Sequence, residues 1–277
     1  MSDAVDAILA LIAEHAAGPA ALAAALQGTT DPLALCEHPQ WRPSPRAWHT
    51  AARQRVAIDA LGLRCVTSSE LPTGLRRVRP VPPALFVRGN AELLSSPAVG
   101  IVGARQASSG PLAWAVRIAQ QAVAYGWLVV SGGARGIDAA AHRAALAAGG
   151  RTVVYLGVTA DRIFPIANRR LFEQVIEKGG AIVSEHPPLS QTFSASHATR
   201  NRLIAGHASH LVIAEANDGS GTLLTATYAR RLEVPIWVAP AEIGGARGGI
   251  DLLLAGGVAQ VLADPGLLPR ATALSPA

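Results

Sequence analysis

A glycine-rich stretch carries the residues best suited to hold an anion. It reads SGGARG over residues 131–136 and leads directly into Ile137. Small residues let backbone N–H groups approach a phosphate closely, and a helix that begins here adds its positive dipole end. Taken alone, the stretch is equally typical of an ordinary strand-to-helix turn that needs glycine. The candidate anion-binding residues of this loop are Gly132, Gly133, Arg135 and Gly136.

Three further groups could add to such a site. Gly103 and Arg105 follow an apolar run, and Ser220, Gly221 and Thr222 open a helical segment. In the stretch HATRNR, over residues 197–202, Arg200 and Arg202 lie on either side of Asn201. Two guanidinium forks and an amide can clamp phosphates and bond to base edges. Each group alone also fits a helix cap, but several of them at one sheet edge favour a phosphate-rich ligand.

Motifs for other kinds of site are missing. The first apolar run gives GIVGAR over residues 100–105, which is not the G-x-G-x-x-G of dinucleotide sites, and no P-loop pattern occurs. Asp138 and His142 share a helical face, but no third ligand has a metal-binding spacing. Glu185 and Glu215 end apolar runs without a nucleophile or an acid–base partner nearby. We therefore expect no metal and no catalytic residue, and we expect these carboxylates to orient arginines.

Alternating apolar and helical segments would position these candidates. Short apolar runs occur at 98–102, 127–130, 152–156, 181–184, 210–214, 235–239 and 259–262. The first three are followed directly by glycine or serine, and most of the runs are followed by a helical stretch. This is a βαβ rhythm, and runs that are apolar on both faces are typical of a parallel sheet covered by helices. Ligands bind beyond the carboxyl ends of such strands, and the candidate anion-binding residues lie at these ends.

Composition divides the chain into three parts. Residues 1–79 predict a small helical domain, in which Ser44-Pro45 starts a helix that Gly62 stops. Residues 80–263 predict the α/β domain, after a proline-rich linker, and residues 264–277 predict a peripheral tail. The dense arginines of the first part either extend the surface that binds a phosphate-rich ligand or are merely solvated.

Charge and hydropathy restrict the class of protein. The 277 residues carry a net charge of +5 and a pI near 10.0, and Lys178 is the only lysine. Arginine suits phosphate, although a compositional bias explains scattered surface arginines as well. Cys36 and Cys65 cannot form a disulfide scaffold or a zinc site, so we expect them to be structural. No long uncharged apolar run occurs and the N-terminus begins with acids, which predicts a cytoplasmic protein without a membrane partner.

Read in order, the motifs resemble those of the DNA-processing protein A (DprA/Smf) family. The stretch SGGARGIDAAAH over residues 131–142 resembles the family signature S-G-x-A-R-G-I-D-x-x-A-H. The agreement covers residues 84–262, about two thirds of the chain, and continues through Leu156-Gly157, Phe164-Pro165 with Asn168, Ile182–Glu185, Arg200–Gly206, Glu215 with Ser220-Gly221-Thr222, and Val238–Pro240.

The resemblance implies an α/β fold with an extended Rossmann-like, mostly parallel sheet, helices on both faces and a small N-terminal helical domain. It also implies a homodimer that binds single-stranded DNA and loads a RecA-type recombinase in natural transformation or recombination, without enzymatic activity or a cofactor. Carried over, the DNA-binding residues are Gly103, Arg105, Gly132, Gly133, Arg135, Gly136, His197, Arg200, Asn201 and Arg202, with Ser220, Gly221 and Thr222 at the rim.

The chain departs from the family pattern in three places. His197 stands where the family commonly has phenylalanine, so stacking on a base would use a smaller face and phosphate contacts would carry more of the affinity. The 15 residues after Leu262 are too few for the winged-helix module of many relatives. Residues 1–79 match the sterile-alpha-motif-like domain of relatives poorly.

Two other function classes remain as alternatives. Phosphoribohydrolases of the lysine-decarboxylase-like family carry a P-G-G-x-G-T-x-x-E loop that holds a nucleotide monophosphate. Here the comparable stretch, DGSGTLLT over residues 218–225, has Thr225 in place of the catalytic glutamate, which argues against hydrolysis. A non-catalytic nucleotide sensor would need a closed pocket and few additional basic residues, whereas the number of arginines favours a strand.

Overall fold

The computed structural model describes residues 3–15, 19–29, 31–192 and 195–271. The helices are α1 (Ala4–Glu14), α2 (Pro19–Gly28), α3 (Pro32–Glu37), α4 (Pro45–Ala60), α5 (Thr73–Arg77), α6 (Ser109–Ala124), α7 (Ile137–Ala147), α8 (Arg169–Glu177), α9 (Ala195–Thr199), α10 (Asn201–His207), α11 (Gly221–Arg231) and α12 (Gly248–Ala255). The strands are β1 (Leu63–Thr67), β2 (Ala84–Gly89), β3 (Ala98–Val102), β4 (Leu128–Gly132), β5 (Thr152–Leu156), β6 (Ala181–Ser184), β7 (Ala208–Ile213), β8 (Ile236–Val238) and β9 (Gln260–Val261).

The strands form one sheet in the order β1-β2-β6-β5-β4-β3-β7-β8-β9. All pairs from β6 to β9 are parallel, while β2 pairs antiparallel with β6 and β1 pairs antiparallel with β2. Along the chain, β4, β5 and β6 follow one another on one side of β3. The next strand, β7, pairs with β3 on its other side. The strand order therefore reverses beside β3, and ligands bind at the carboxyl ends of strands near such a reversal.

The residues of β3 alternate between two cores on the two faces of the sheet. Val99 and Ile101 pack with apolar side chains of α6 and α7, such as Trp114. Ala98 and Val102 pack in the core that contains residues of α10 and α11. Because both faces are covered, every residue of β3 is buried. The predicted α/β fold, mostly parallel with helices on both faces, is confirmed.

The N-terminal part contains the predicted helices and also a strand that the sequence did not suggest. Ser44 caps α4 by accepting a hydrogen bond from the Ala47 N–H at 3.2 Å, and Gly62 follows the helix with φ +59°, as predicted. The helices α1 to α4 surround a core that includes Phe86 of β2. However, β1 pairs with β2 at the edge of the sheet, so the sheet begins before residue 80. The boundary between two domains at residues 79 and 80 stays a prediction.

The described residues contain no helix that is long and apolar enough to cross a membrane. Cys36 is buried and donates a hydrogen bond to the Ala7 carbonyl at 3.8 Å, and burial raises the pKa of its thiol to about 11. Burial also raises the pKa of Cys65 to about 12. Both thiols are therefore protonated at neutral pH, which fits the structural role expected of them.

Two buried histidines make the stability of this fold depend on pH. Burial lowers the pKa of His142 and of His207 to about 4. The unfolded chain, with histidine pKa values near ~6.5, binds these protons more readily, so stability is present above that pH and is lost as pH falls towards 4. We expect the free energy of unfolding to fall by about 2 kcal/mol per histidine between pH ~7 and ~5.

Urea denaturation at the two pH values measures this loss. The variant His207→Gln should remove the part of the pH dependence that this histidine contributes, about 2 kcal/mol. Replacement of His49, whose ring lies at the surface of α4, should leave the pH dependence unchanged. Equal stability of the wild type at both pH values would show that the buried histidines accept protons without cost.

Candidate nucleic-acid interface

A cavity of about 160 Å³ opens at the carboxyl ends of β3, β4 and β5. The loops after these strands and the segment before α10 supply its wall. The lining residues are Arg105, Gly133, Ala134, Arg135, Leu156, Gly157, Phe164, Pro165, His197 and Arg200. No carboxylate of the described residues lines this cavity, whereas three arginines do. The cavity therefore presents positive charge beside an apolar wall.

Arg200 is a buried cation at the wall of the cavity. Only 8% of the residue is exposed, and its Nε has no hydrogen-bond partner among the described residues. Burial lowers its pKa, with Arg105 as a further positive charge and Asp138 opposing the shift. An arginine nevertheless stays protonated in proteins. A buried donor without a partner is costly, so an anion that accepts from this guanidinium would relieve that cost.

Asp138 is a buried carboxylate close to Arg200. Its Oδ2 lies 3.9 Å from Arg200 Nη2 and accepts a long hydrogen bond from the Ala134 N–H at 3.4 Å. Burial raises the pKa of Asp138, and Arg200 opposes this effect. One carboxylate behind Arg200 leaves the charges of Arg105 and Arg135 unbalanced. Both side chains are exposed, and neither makes a side-chain hydrogen bond or ion pair with the described residues.

His142 does not join Asp138 in a common site. Its Nδ1 lies 2.7 Å from Thr152 Oγ1 and its Nε2 lies 2.9 Å from the Gly132 carbonyl oxygen. The ring thus ties β4 to the start of β5. His142 therefore packs inside the fold, as expected. Among the described residues, no group of three or more potential metal-binding side chains occurs.

An aromatic pair forms the apolar wall of the cavity. The rings of His197 and Phe164 are stacked, with centroids 5.2 Å apart and an angle of 26° between their planes. Phe164 is 52% exposed, so it can accept a base on its free surface. Burial, together with Arg200 and Arg105, lowers the pKa of His197, which keeps the imidazole neutral at pH 7. The sequence interpretation matched Phe164 to a family motif but gave it no contact with DNA.

Several positions in these loops need glycine because neighbouring atoms lie where a Cβ would be. A Cβ at Gly132 would overlap the guanidinium of Arg200, and a Cβ at Gly157 would lie 2.7 Å from the backbone nitrogen of His197. A Cβ at Gly133 would lie 2.5 Å from Leu156 Cδ2.

Gly136 has φ +74°, and a Cβ there would overlap the Ala104 carbonyl oxygen. A Cβ at Gly103 would lie 2.7 Å from Ile137 Cγ1, so glycine lets the first loop pack on the start of α7.

Arg202 lies inside the protein, although the sequence assigns it to the DNA surface beside Arg200. Its side chain is 3% exposed, and its Nη2 donates to Glu185 Oε1 at 2.5 Å. The Nε donates to the Pro80 carbonyl oxygen at 2.9 Å and Nη1 to that of Thr199 at 3.0 Å. All three nitrogens are thus engaged within the protein, so Arg202 holds the stretch 197–202 in place and does not line the cavity.

The two glutamates that end apolar runs have different partners. Glu185 pairs with Arg202, which confirms the expectation that it orients an arginine. For Glu215 that expectation is wrong. Its carboxylate accepts hydrogen bonds from the Ser108 N–H and hydroxyl, each at 2.9 Å, and from the Ala246 N–H at 2.8 Å. Glu215 therefore joins two loops, because two backbone N–H groups and a serine hydroxyl donate to it instead of a guanidinium.

The predicted rim residues lie beside α10 and do not line the cavity. Asn201 Nδ2 donates to the Gly221 carbonyl oxygen at 3.1 Å, which connects the starts of α10 and α11. Ser220 has a buried hydroxyl without a hydrogen-bond partner among the described residues, and Thr222 is buried. The structure thus brings Asn201 together with residues 220–222. This group lies outside the cavity, beside Arg200, which lines the wall.

Comparison with known proteins identifies the family. The model of the family described as DNA recombination-mediator protein A matches residues 62–267. The chain belongs to this family. The match begins one residue before β1, in keeping with the place of β1 in the sheet.

Individual members of the recombination-mediator family are similar over most of the chain. Protein Smf of Synechocystis sp. is 36% identical over 211 residues, which are 72% of this chain and 53% of that protein. DNA processing protein DprA of Streptococcus pneumoniae is 37% identical over 172 residues, or 62% of this chain and 60% of that protein. The chain thus spans between half and three fifths of the length of these relatives.

Solved structures of the family share the fold. An X-ray structure of DprA from Streptococcus pneumoniae superposes with a TM-score of 0.76 at 26% identity and covers 95% of each chain. A structure of DNA processing protein A from Helicobacter pylori, reported for its single-stranded DNA binding mode, superposes with a TM-score of 0.66 at 27% identity. It covers 73% of this chain and 92% of its own.

Proposed function

We propose that this protein binds single-stranded DNA in the cavity at the carboxyl ends of β3, β4 and β5. The observation that carries the proposal is the buried guanidinium of Arg200, with a donor left free, next to the stacked rings of Phe164 and His197. A nucleotide presents the matching pair of features, an anionic phosphate and an apolar base. The proposed binding residues are Gly103, Arg105, Gly132, Gly133, Arg135, Gly136, Phe164, His197 and Arg200, with Asn201, Ser220, Gly221 and Thr222 beside them.

A strand fits this cavity better than the substrate of a phosphoribohydrolase. Hydrolysis of a glycosidic bond needs a carboxylate at the reacting carbon, and none of the described residues gives the cavity one. Thr225, which stands in place of the catalytic glutamate, is buried within α11. Arg105 and Arg135 are exposed at the mouth, where they would meet neighbouring phosphates of a longer ligand. We infer that the protein acts without catalysis.

The family supports a wider role for the bound strand. Its description as a recombination mediator suggests that the chain loads a RecA-type recombinase onto single-stranded DNA, in natural transformation or recombination. The proposal includes a homodimer that works in the cytoplasm. The structural relative from Helicobacter pylori, reported with its single-stranded DNA binding mode, supports the choice of ligand.

Fluorescence anisotropy of a labelled oligo-dT and of a duplex, in a series of salt concentrations, tests the proposal. We expect tight binding of the single strand that weakens with salt. The variant Arg105→Ala/Arg135→Ala should reduce the slope of log K against log salt by about 1.4, since each phosphate contact contributes about 0.7 for a single strand.

The variant Arg230→Ala/Arg231→Ala is the matched control. These arginines lie at the end of α11, far along the chain from the cavity loops, and carry the same charge. Weak binding by the wild type, or equal losses in both variants, would contradict the proposal and would make nucleotide monophosphates the next ligands to test.

A further inference from the structure

We propose that Arg162, Arg169 and Arg170 form a second zone of contact, the α8 track, that holds phosphates of the strand after it leaves the cavity beside Phe164. This inference rests on the proposed function, because the ligand is the same single strand. It adds three phosphate-binding residues and a direction for the path of the DNA.

The three arginines of the α8 track are free to bind a ligand. All are exposed, and none makes a side-chain hydrogen bond or ion pair with the described residues. Glu173, which follows Arg169 by one helical turn, does not pair with either helix arginine. By contrast, several other surface arginines have acidic partners, among them Arg55 with Asp3 at 2.9 Å. The track is therefore a positive patch that the protein itself leaves unpaired.

The backbone fixes the α8 track next to the cavity. Phe164 and Pro165 line the cavity, and Arg162 precedes Phe164 by two residues. Asn168 Nδ2 donates to the carbonyl oxygens of Gly133 and Ala134 at 2.9 and 3.1 Å, which ties the start of α8 to the loop that lines the cavity. Arg169 and Arg170 follow Asn168 directly. The patch thus continues the cavity on its aromatic side.

The charge pattern of α8 opposes what helix stability favours. The positive end of a helix dipole prefers acidic residues, but the first turn of α8 has Arg169 and Arg170 and no acid. Asn168, at the N-cap position, uses its side chain on the loop and makes no cap hydrogen bond. Positive charge therefore accumulates here without local compensation. A bound polyanion would supply that compensation.

A strand is the ligand that this layout fits. The cavity takes one nucleotide at Arg200 and the aromatic pair, and the three arginines of the α8 track are not among the residues that line it. Arginine binds phosphate oxygens with a planar fork and needs no particular base. The α8 track should therefore add affinity that depends on the length of the oligonucleotide and on salt, and not on its sequence.

Two oligo-dT lengths separate the α8 track from the cavity. We would compare oligonucleotides of about 4 and about 16 nucleotides, by anisotropy over a salt series, for the wild type and for Arg162→Ala/Arg169→Ala/Arg170→Ala. For the long strand, the triple variant should lose about 2 from the slope of log K against log salt. For the short strand, affinity and slope should stay as in the wild type.

Two further variants make the result specific. The triple replacement of the same residues by lysine keeps the charges and should retain most of the slope. The variant Arg151→Ala/Arg230→Ala/Arg231→Ala removes the same charge near the amino ends of β5 and β8 and should leave both slopes unchanged. Thermal unfolding of each variant confirms that the exposed substitutions leave the fold intact.

The outcomes distinguish this inference from the proposed function. If the alanine triple variant keeps the full slope for the long strand, or if the charge control loses as much, the α8 track is wrong while the cavity remains. If the wild type binds neither oligonucleotide, both proposals are wrong.

Discussion

Replacing Arg202 by alanine should lower the free energy of unfolding by about 3 kcal/mol, the lower end of the range for breaking a buried ion pair. The substitution leaves the Glu185 carboxylate without its partner and takes donors away from the carbonyl oxygens of Pro80 and Thr199. Because Glu185 keeps some contact with solvent, the loss should not reach the upper end of that range. Urea denaturation followed by circular dichroism measures it.

The matched control is Arg135→Ala, which removes an exposed guanidinium without partners and should change stability by no more than about 0.5 kcal/mol. The variant Arg202→Lys keeps the charge but supplies fewer directed donors, so its stability should lie between those of alanine and the wild type. A variant Arg202→Ala as stable as the wild type would contradict the structural role given to this guanidinium.

The variant Gly132→Ala should weaken binding of single-stranded DNA by roughly ten- to a hundredfold. The new Cβ would occupy the space of the Arg200 guanidinium, which must then leave its place at the cavity wall. A hydrogen bond to a charged group contributes about 1.5–3 kcal/mol, and each ~1.4 kcal/mol is a tenfold change in affinity. Anisotropy with oligo-dT measures the affinity, and urea denaturation shows whether the variant is folded.

The control for Gly132→Ala is Gly28→Ala, because a Cβ at Gly28 would have no neighbour within 4 Å. It should bind as the wild type does. If Gly132 acts through Arg200, the double variant Gly132→Ala/Arg200→Ala should bind no more weakly than Arg200→Ala alone, since two substitutions that remove one contact are not additive. Unchanged affinity of a folded Gly132→Ala would contradict the role given to Arg200.

The sequence alone determined most of the elements and the edge where the site lies. The apolar runs at 98–102, 152–156 and 181–184 coincide with β3, β5 and β6 as the structure has them. These strands are buried on both faces, so a continuous apolar run marks them clearly. Glycines that stop a strand and precede a helix marked the loops in the same local way. The helix between Ser44 and Gly62 could be predicted from the sequence, because the N-cap and the glycine after the C-terminus are each set by a few adjacent residues.

Only the tertiary structure decided which arginine of the RNR motif faces the cavity. At 3.6 residues per turn, side chains two positions apart in a helical segment point about 200° from each other, so Arg200 and Arg202 cannot both line one wall. Which of them turns inward depends on Glu185, a partner from the loop after β6. The stacking of Phe164 on His197 likewise joins residues 33 positions apart. Strands β1 and β2 pair antiparallel across 16 intervening residues, and no local pattern reports a partner at such a distance.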